Sequence, residues 1–351
     1  MTAGLPLLLV GHGTRSQPGV TAFRQFTDHV RARARGRVST IDGGFIELSR
    51  PSVSEAVSRM TAPGPLQEGA LQEGAQQEGA QQESAQQQNT QQRGAQREMV
   101  AQQEMVAVPL VLSSAGHGKG DIPASLARER LRHPGLRWRY GRPLGPHPVL
   151  QDILAARIDA ALDGAGRAGT HVVLVGRGST DPDANAEVAK VARLLWEGRG
   201  YAEVEFCFIS LAAPSVPAAL ERARKLGAGR IVVAPYFLFP GVLPDRVASQ
   251  ARQFASQRES LDVRVAELIG GCDELADLVL FRYEEALRGD IRMNCDTCAY
   301  RIALPGFADK VGRPQAPHQH PDDLSHDHIQ AADHVRSADH VYSHDHARAE
   351  G

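Results

Sequence analysis

The chain has little of several features that mark common protein classes. Its 351 residues carry 39 Lys plus Arg against 41 Asp plus Glu, so it lacks the positive excess that holds nucleic acid or an anionic membrane by counterion release. An anionic ligand must therefore be held locally. No stretch approaches the roughly 18 apolar residues of a membrane span, and residues 1–10 lack the basic segment and small-residue cleavage site of a secretory leader. A soluble cytoplasmic protein is the expectation. Four cysteines (Cys207, Cys272, Cys295, Cys298) are few for this length, and the last two form a C-x-x-C, which favours metal or redox chemistry over a disulfide framework.

What the chain does contain is apolar material for two cores, 42% hydrophobic residues against 23% charged, arranged as short apolar runs followed by helical periodicity. Residues 5–10 read as a strand, and Phe23, Phe26 and Val30 as the helix after it. The pattern recurs with a strand over 45–48 and a helix carrying Val53, Ala56, Val57 and Met60. It recurs again with a strand over 106–112 and a helix carrying Val149, Ile153, Leu154 and Ile158. Strands alternating with helices predict an α/β fold whose mainly parallel sheet is covered on both faces.

The second half then repeats the first. Val10-Gly11-His12-Gly13-Thr14 matches Val175-Gly176-Arg177-Gly178-Ser179, 165 residues later. Phe45-Ile46-Glu47-Leu48 with Pro51-Ser52-Val53 matches Phe208-Ile209-Ser210-Leu211 with Pro214-Ser215-Val216 at a separation of 163. Pro109-Leu110-Val111-Leu112, with Gly116 and Asp121, resembles Pro235-Tyr236-Phe237-Leu238, with Gly241 and Asp245, beginning at a separation of 126. Leu150, Ile153 and Arg157 match Leu275, Leu278 and Arg282 at 125.

The fall in separation from 163 to 126 requires an insertion of about 37 residues in the first copy. It is visible from Leu66, where the unit Leu66-Gln67-Glu68-Gly69-Ala70 repeats and degrades toward Val100. Gln, Glu, Ala and Gly offer no apolar face, so a solvated loop, disordered or fitfully helical, is expected over about 63–104. Beyond Asp290 the patterning stops in a tail holding eight of the fourteen histidines: His318, His320, His326, His328, His334, His340, His344 and His346. The expected organisation is a first repeat over 1–163, a second over 164–290 and an extension over 291–351 that ends in a disordered tail.

Three residues stand where open α/β sheets present side chains to ligands, just past the carboxyl ends of strands. His12 follows the first apolar run between two glycines, Glu47 follows Phe45-Ile46, and His117 sits in the turn Ala115-Gly116-His117-Gly118. A Gly-His-Gly alone is also compatible with a structural histidine, or with backbone N–H groups offered to a phosphate. The repeat discriminates. In the second copy the three positions are Arg177, Ser210 and, with a two-residue gap, Val242, so all three functional groups are lost together while the surrounding residues persist. Members of one site change as a set, because a site missing one ligand exerts little selection on the others. Two imidazoles and a carboxylate suit Fe²⁺, Co²⁺, Ni²⁺ or Zn²⁺, and imidazole accepts protons near neutral pH.

In combination, Leu-Val-Gly-His-Gly-Thr-Arg at 9–15, Gly-Phe-Ile-Glu-Leu at 44–48, Pro-Ser-Val at 51–53 and Ala-Gly-His-Gly-Lys-Gly-Asp-Ile-Pro at 115–123 resemble the sirohydrochlorin chelatases. These are the cobalt- and iron-inserting class II chelatases of cobalamin and sirohaem synthesis, and the likeness spans roughly residues 5–288. The resemblance implies two tandem Rossmann-like halves, each with a four-stranded parallel sheet, and a cleft between them of the kind that shorter homodimeric relatives form between subunits. It implies His12 and His117 as metal and proton handlers, with Glu47 as the acidic partner. The implied reaction takes a divalent metal and a metal-free tetrapyrrole, releases two protons, and needs neither ATP nor a nucleotide cofactor.

Such a substrate carries many carboxylates. Arg15, Arg50 and Lys119 lie beside the three site residues, and Arg177 stands where a second histidine would, so these four are the candidate substrate-binding cations. Met293-Asn294-Cys295-Asp296-Thr297-Cys298 resembles the short cysteine motif of long-form members, which implies an iron–sulfur cluster on Cys295 and Cys298. Two cysteines do not complete a four-cysteine cluster, so Cys272 and Cys207, a second chain or another ligand must contribute. The histidine-rich tail suits collection of metal for delivery to His12 and His117. Iron and cobalt remain equivalent for this donor set, as do a monomer with fused halves and a homodimer. Two other readings compete: a non-catalytic metal store or metallochaperone, motivated by the tail and the C-x-x-C, and a phosphoryl-transfer or esterase-type enzyme using His12 as nucleophile. The latter leaves Glu47, His117 and the repeat unexplained.

Overall fold

The computed structural model describes residues 4–62, 103–114, 116–258, 260–289, 309 and 311. The expected insertion falls outside the described residues except at its end, where Glu104 already opens a strand; Cys295, Cys298 and the histidine-rich tail also fall outside them.

Among the described residues, eight strands form two wholly parallel four-stranded sheets. The first joins β1 (Leu7–Gly11), β2 (Ile41–Phe45), β3 (Glu104–Pro109) and β4 (Arg137–Tyr140) in the order β2-β1-β3-β4. Its helices are α1 (Gln17–Ala34), α2 (Val53–Thr61), α3 (Ile122–Arg132) and α4 (Pro148–Leu162). The second joins β5 (Thr170–Gly176), β6 (Glu203–Phe208), β7 (Arg230–Pro235) and β8 (Asp262–Val265) in the equivalent order β6-β5-β7-β8. Its helices are α5 (Pro182–Trp196), α6 (Val216–Lys225), α7 (Val242–Ser256) and α8 (Asp273–Leu287). The repeat read from the sequence is thus a repeat of architecture. No helix among the described residues is long and apolar enough to cross a membrane.

Local chemistry explains the elements that carry the site. Leu7, Leu8, Leu9 and Val10 are wholly buried, as expected of a central parallel strand with both faces covered. Helix α1 starts on Pro18 in its first turn and stops where Arg35 adopts a left-handed conformation ahead of Gly36. Helix α2 opens on a reciprocal capping box, the Ser52 hydroxyl accepting from the Glu55 N–H and the Glu55 carboxylate from the Ser52 N–H.

One strand lies earlier than its apolar signal. The sequence places it over 45–48, whereas β2 runs from Ile41 to Phe45 and the apolar run forms the turn beyond it. Gly43 and Gly44 disguise the strand, and both are required by close packing: a Cβ on Gly43 would lie 2.7 Å from the Phe23 ring, and one on Gly44 would lie 2.8 Å from the Val53 backbone. The helices press so tightly on this edge that only backbone fits.

The repeats are units of sequence but not of packing. Helix α4 closes the first repeat yet packs on β7 and β8 and against α5 and α8, while α8 closes the second and packs on β3, β4 and α1. Each repeat therefore gives its last helix to the other's sheet. Matched hydrogen bonds hold the exchange: Arg157 on α4 donates to the Ile269 carbonyl and Arg282 on α8 to the Leu144 carbonyl, each at 3.2 Å. Tyr283 adds a bond from its hydroxyl to the Leu5 carbonyl at 2.8 Å. A central apolar cluster accordingly mixes both halves, including Leu9, Phe26, Ile158, Leu174, Val191 and Leu280, and one smaller cluster lies under α2 and α3 and another under α6 and α7. Both repeats fall within one compact unit.

Candidate functional site

The pairing of β1 with β2 continues past the strands into the two loops that matter. Ile46 donates its N–H to the Gly11 carbonyl at 3.0 Å and Glu47 to the His12 carbonyl at 3.1 Å, so residues 12 and 47 leave the sheet side by side. Gly13 makes this possible. Its φ is +110°, and a Cβ there would fall 1.8 Å from the Glu47 carbonyl oxygen, a contact no side chain survives. The loops are further tied by Ser49, whose hydroxyl accepts from the Thr14 N–H at 2.9 Å and donates to the Thr14 carbonyl at 2.6 Å. Sequence reasoning missed Ser49; the only signal for it was its place one residue beyond the quoted Gly-Phe-Ile-Glu-Leu motif.

On this platform the Nδ1 of His12 stands 2.6 Å from Oε1 of Glu47. The Glu47 side chain is largely buried at 8% exposure while that of His12 is open at 26%, so the carboxylate sits behind the ring and the ring faces outward. This is the arrangement in which a carboxylate fixes the imidazole's orientation, directs a proton to Nδ1 and raises the basicity of Nε2. It makes Glu47 an orienting group for His12 at least as naturally as a metal ligand in its own right.

Strand β3 pairs with β1 on the side opposite β2, so the loop after β3 emerges at the same edge of the sheet. There His117 opens a π-helical turn, His117–Asp121, a backbone form often found at functional sites. The backbone of the turn is described; the side chain of His117 lies outside the described residues. Among the described residues no group of three or more His, Cys, Asp or Glu side chains is placed to hold a metal ion, and His12 with Glu47 forms a partial donor set.

The second copy keeps the platform and changes its side chains. Ile209 donates to the Gly176 carbonyl at 3.0 Å and Ser210 to the Arg177 carbonyl at 3.1 Å. A Cβ on Gly178 would lie 1.8 Å from the Ser210 carbonyl oxygen, and Leu211 adopts the same positive φ as Leu48. Where the first copy has His12, Glu47 and His117, this one has Arg177, Ser210 and Val242. Val242 and Leu211 are both more than half exposed. The Arg177 guanidinium feels the Glu47 carboxylate: desolvation pushes its pKa below the usual arginine value, and the Glu47 charge opposes that shift. Arg177 of the second copy therefore lies close enough to Glu47 of the first for their charges to interact.

The remaining expected residues are placed differently from one another. Arg15 is exposed in the loop after Gly13. Arg50 is exposed too, 3.4 Å from Glu55, and lines a hollow of about 800 Å³ between α1 and α2 that also contains Arg24, Arg31 and Arg59. That hollow includes neither His12 nor Glu47; Arg31, Arg50 and Arg59 are paired with Asp28, Glu55 and Asp42, and Arg24 donates to the Arg50 carbonyl. Lys119 is not open to solvent. Its ammonium lies 3.0 Å from Asp181 and 2.8 Å from Asp183, with side-chain exposures of 9%, 7% and 2% for the three residues. A cation so placed is committed to two carboxylates of the second half. Cys207 is wholly buried on β6 within an apolar cluster, and burial raises its thiol pKa to about 12, the setting of a packed core residue. Cys272 caps α8 and is partly exposed.

The CbiX family pattern matches residues 6–67, 71–161 and 171–286, in both repeats. The chain is 32% identical over 300 residues to a sirohydrochlorin cobaltochelatase of Priestia megaterium, covering 85% of each protein. It is 25% identical over 280 residues to a sirohydrochlorin ferrochelatase of Bacillus subtilis (strain 168), covering 80% of this chain and 90% of that one. Among solved structures, that of SirB from Bacillus subtilis with Fe³⁺ matches its fold with a TM-score of 0.61 at 24% identity, covering 82% of this chain and 97% of the other.

Proposed function

The chain belongs to the CbiX family and is a metal chelatase, and on that footing we propose that it inserts Fe²⁺ or Co²⁺ into sirohydrochlorin or a close precorrin analogue, in sirohaem or cobalamin synthesis. The observation that carries the reading is the His12–Glu47 pair, held at 2.6 Å on a platform whose twin in the second copy has kept the backbone and lost both groups.

The reaction needs three things: a metal that sheds water, two pyrrole N–H protons removed, and a flat macrocycle held with its acidic rim satisfied. His12, oriented through Nδ1 by Glu47, takes the metal or a pyrrole proton on Nε2. His117 serves the same purpose from the turn after β3. The second half supplies the opposite wall, with Arg177 for a substrate carboxylate and the exposed Leu211 and Val242 for the apolar face of the ring. Arg15 can reach the rim from its exposed loop. No nucleotide is needed, because binding of the metal to four ring nitrogens provides the driving force. The proposed catalytic unit is one chain with fused halves or a homodimer of it, acting in the cytoplasm.

The test is anaerobic absorbance spectroscopy of the purified chain with sirohydrochlorin and Fe²⁺ or Co²⁺, beside His12→Ala and His117→Ala. Conversion faster than the protein-free rate and lost in both variants supports the proposal and ranks the two metals. No acceleration by the unaltered chain refutes it.

A further inference from the structure

We propose that Lys119, Asp181, Asp183 and Glu187 form a clamp through which the second repeat positions the turn carrying His117, making them positioning residues for metal transfer. The inference rests on the reading of His117 as a metal and proton handler.

Two contacts anchor that turn across the repeats. Lys119, two residues after His117, inserts its ammonium between Asp181 and Asp183 at the start of α5, at 3.0 and 2.8 Å. Ser114, three residues before His117, donates its backbone N–H to Oε2 of Glu187 at 2.7 Å, and Glu187 is only 3% exposed. A third bond holds the turn from its own side, the Tyr140 hydroxyl donating to the Gly118 carbonyl at 2.8 Å. The loop is thus gripped just before the histidine, at Ser114, and within its turn, at Gly118 and Lys119.

The repeat supplies an internal control. At the separations that align the halves, Lys119 corresponds to Pro244, Asp181 to Ser16, Asp183 to Pro18 and Glu187 to Ala22, so every member of the clamp is replaced. The same two elements still meet there, but through ring packing: Phe239 lies edge-on to Phe23 and tilted against Phe26 on α1, with ring centroids 6.3 and 5.6 Å apart. The copy that has Val242 in place of His117 has also lost the ionic clamp. Burying an ammonium with carboxylates seldom stabilises more than apolar packing would, and Phe239 against Phe23 and Phe26 shows that apolar packing suffices to join these elements. The polar version therefore answers a need for a defined position. Glu187 sharpens the point, since its Oε1 has no hydrogen-bond partner among the described residues. A carboxylate retained at that cost is there for its bond to Ser114.

The experiment uses the full chain with Lys119→Met, Lys119→Arg and Asp183→Asn, reading kcat and KM for sirohydrochlorin together with amide hydrogen exchange over residues 114–121. Displacement of a reacting group by about an ångström costs on the order of 100-fold. Expected are a kcat lowered by roughly 10- to 100-fold in Lys119→Met, an unchanged KM, faster exchange over 114–121, and partial rescue in Lys119→Arg. Asp183→Asn keeps the Asp181 contact and gives a milder form of the same pattern if Lys119→Met does not fold. A raised KM with unchanged kcat would mean that Lys119 meets the substrate and would overturn the clamp, as would unchanged kinetics and exchange. Should the unaltered chain show no chelatase activity, the proposed function fails separately, and exchange over 114–121 still decides whether the clamp holds the turn.

Discussion

Glu187 offers the sharpest quantitative check on this interior. Burial raises its carboxyl pKa from an ordinary 4.5 to about 7; the Ser114 N–H opposes that shift, while the Asp183 charge adds to it. The native state then binds more protons than the unfolded chain between those two values, so stability falls as pH rises through this window and levels off above it. At about 1.4 kcal/mol per pH unit, the loss between roughly pH 5 and pH 8 is on the order of 2–3 kcal/mol. Glu187→Gln keeps an acceptor for Ser114 and removes the titration. Urea denaturation of both proteins across this range should give curves that diverge, the variant gaining on the order of 2–3 kcal/mol on the parent by roughly pH 8. Parallel curves would show that Glu187 ionises as freely folded as unfolded, and the account of a desolvated carboxylate beneath the His117 turn would be wrong.

Other substitutions test other layers of the argument. Glu47→Gln preserves shape but weakens the proton-directing bond to His12, and kcat for metal insertion should fall by roughly 10- to 100-fold, in the range of lost carboxylate–histidine partners. Gly13→Ala forces a methyl group into the Glu47 carbonyl and should cost several kcal/mol or abolish folding, whereas Gly166→Ala, with open space and no positive φ, should leave the melting temperature within a few degrees. Residues 1–163 expressed alone should lack a cooperative unfolding transition, because α4 loses β7 and β8 while β3 and β4 lose α8; a sharp transition by circular dichroism would contradict the helix exchange.

Where sequence reasoning failed, it failed for nameable reasons. The strand signal near Phe45 was displaced because Gly43 and Gly44 carry no side chain to register as apolar, and their need to be glycine comes from Phe23 and from Val53 on α2. Lys119 was grouped with the substrate-binding cations because a lysine beside a histidine motif looks accessible. Its two partners lie more than sixty residues away, in the other repeat. Arg50 sits next to Glu47 in the chain, yet its side chain joins the hollow between α1 and α2. Adjacency in sequence did not predict which face a loop cation takes.

By itself the sequence determined the α/β class and the duplication, and it singled out an insertion in the first copy and His12, Glu47 and His117 as candidates, because these follow from local periodicity and from one half compared with the other. Tertiary structure alone decided that Glu47 stands behind the His12 ring, that each repeat surrenders its last helix to its twin, and that the turn bearing His117 is gripped from across the molecule. Those outcomes depend on contacts between residues far apart in the chain, such as Arg282 with Leu144 and Lys119 with Asp183, whose cost and benefit appear only when two apolar faces have met and excluded water.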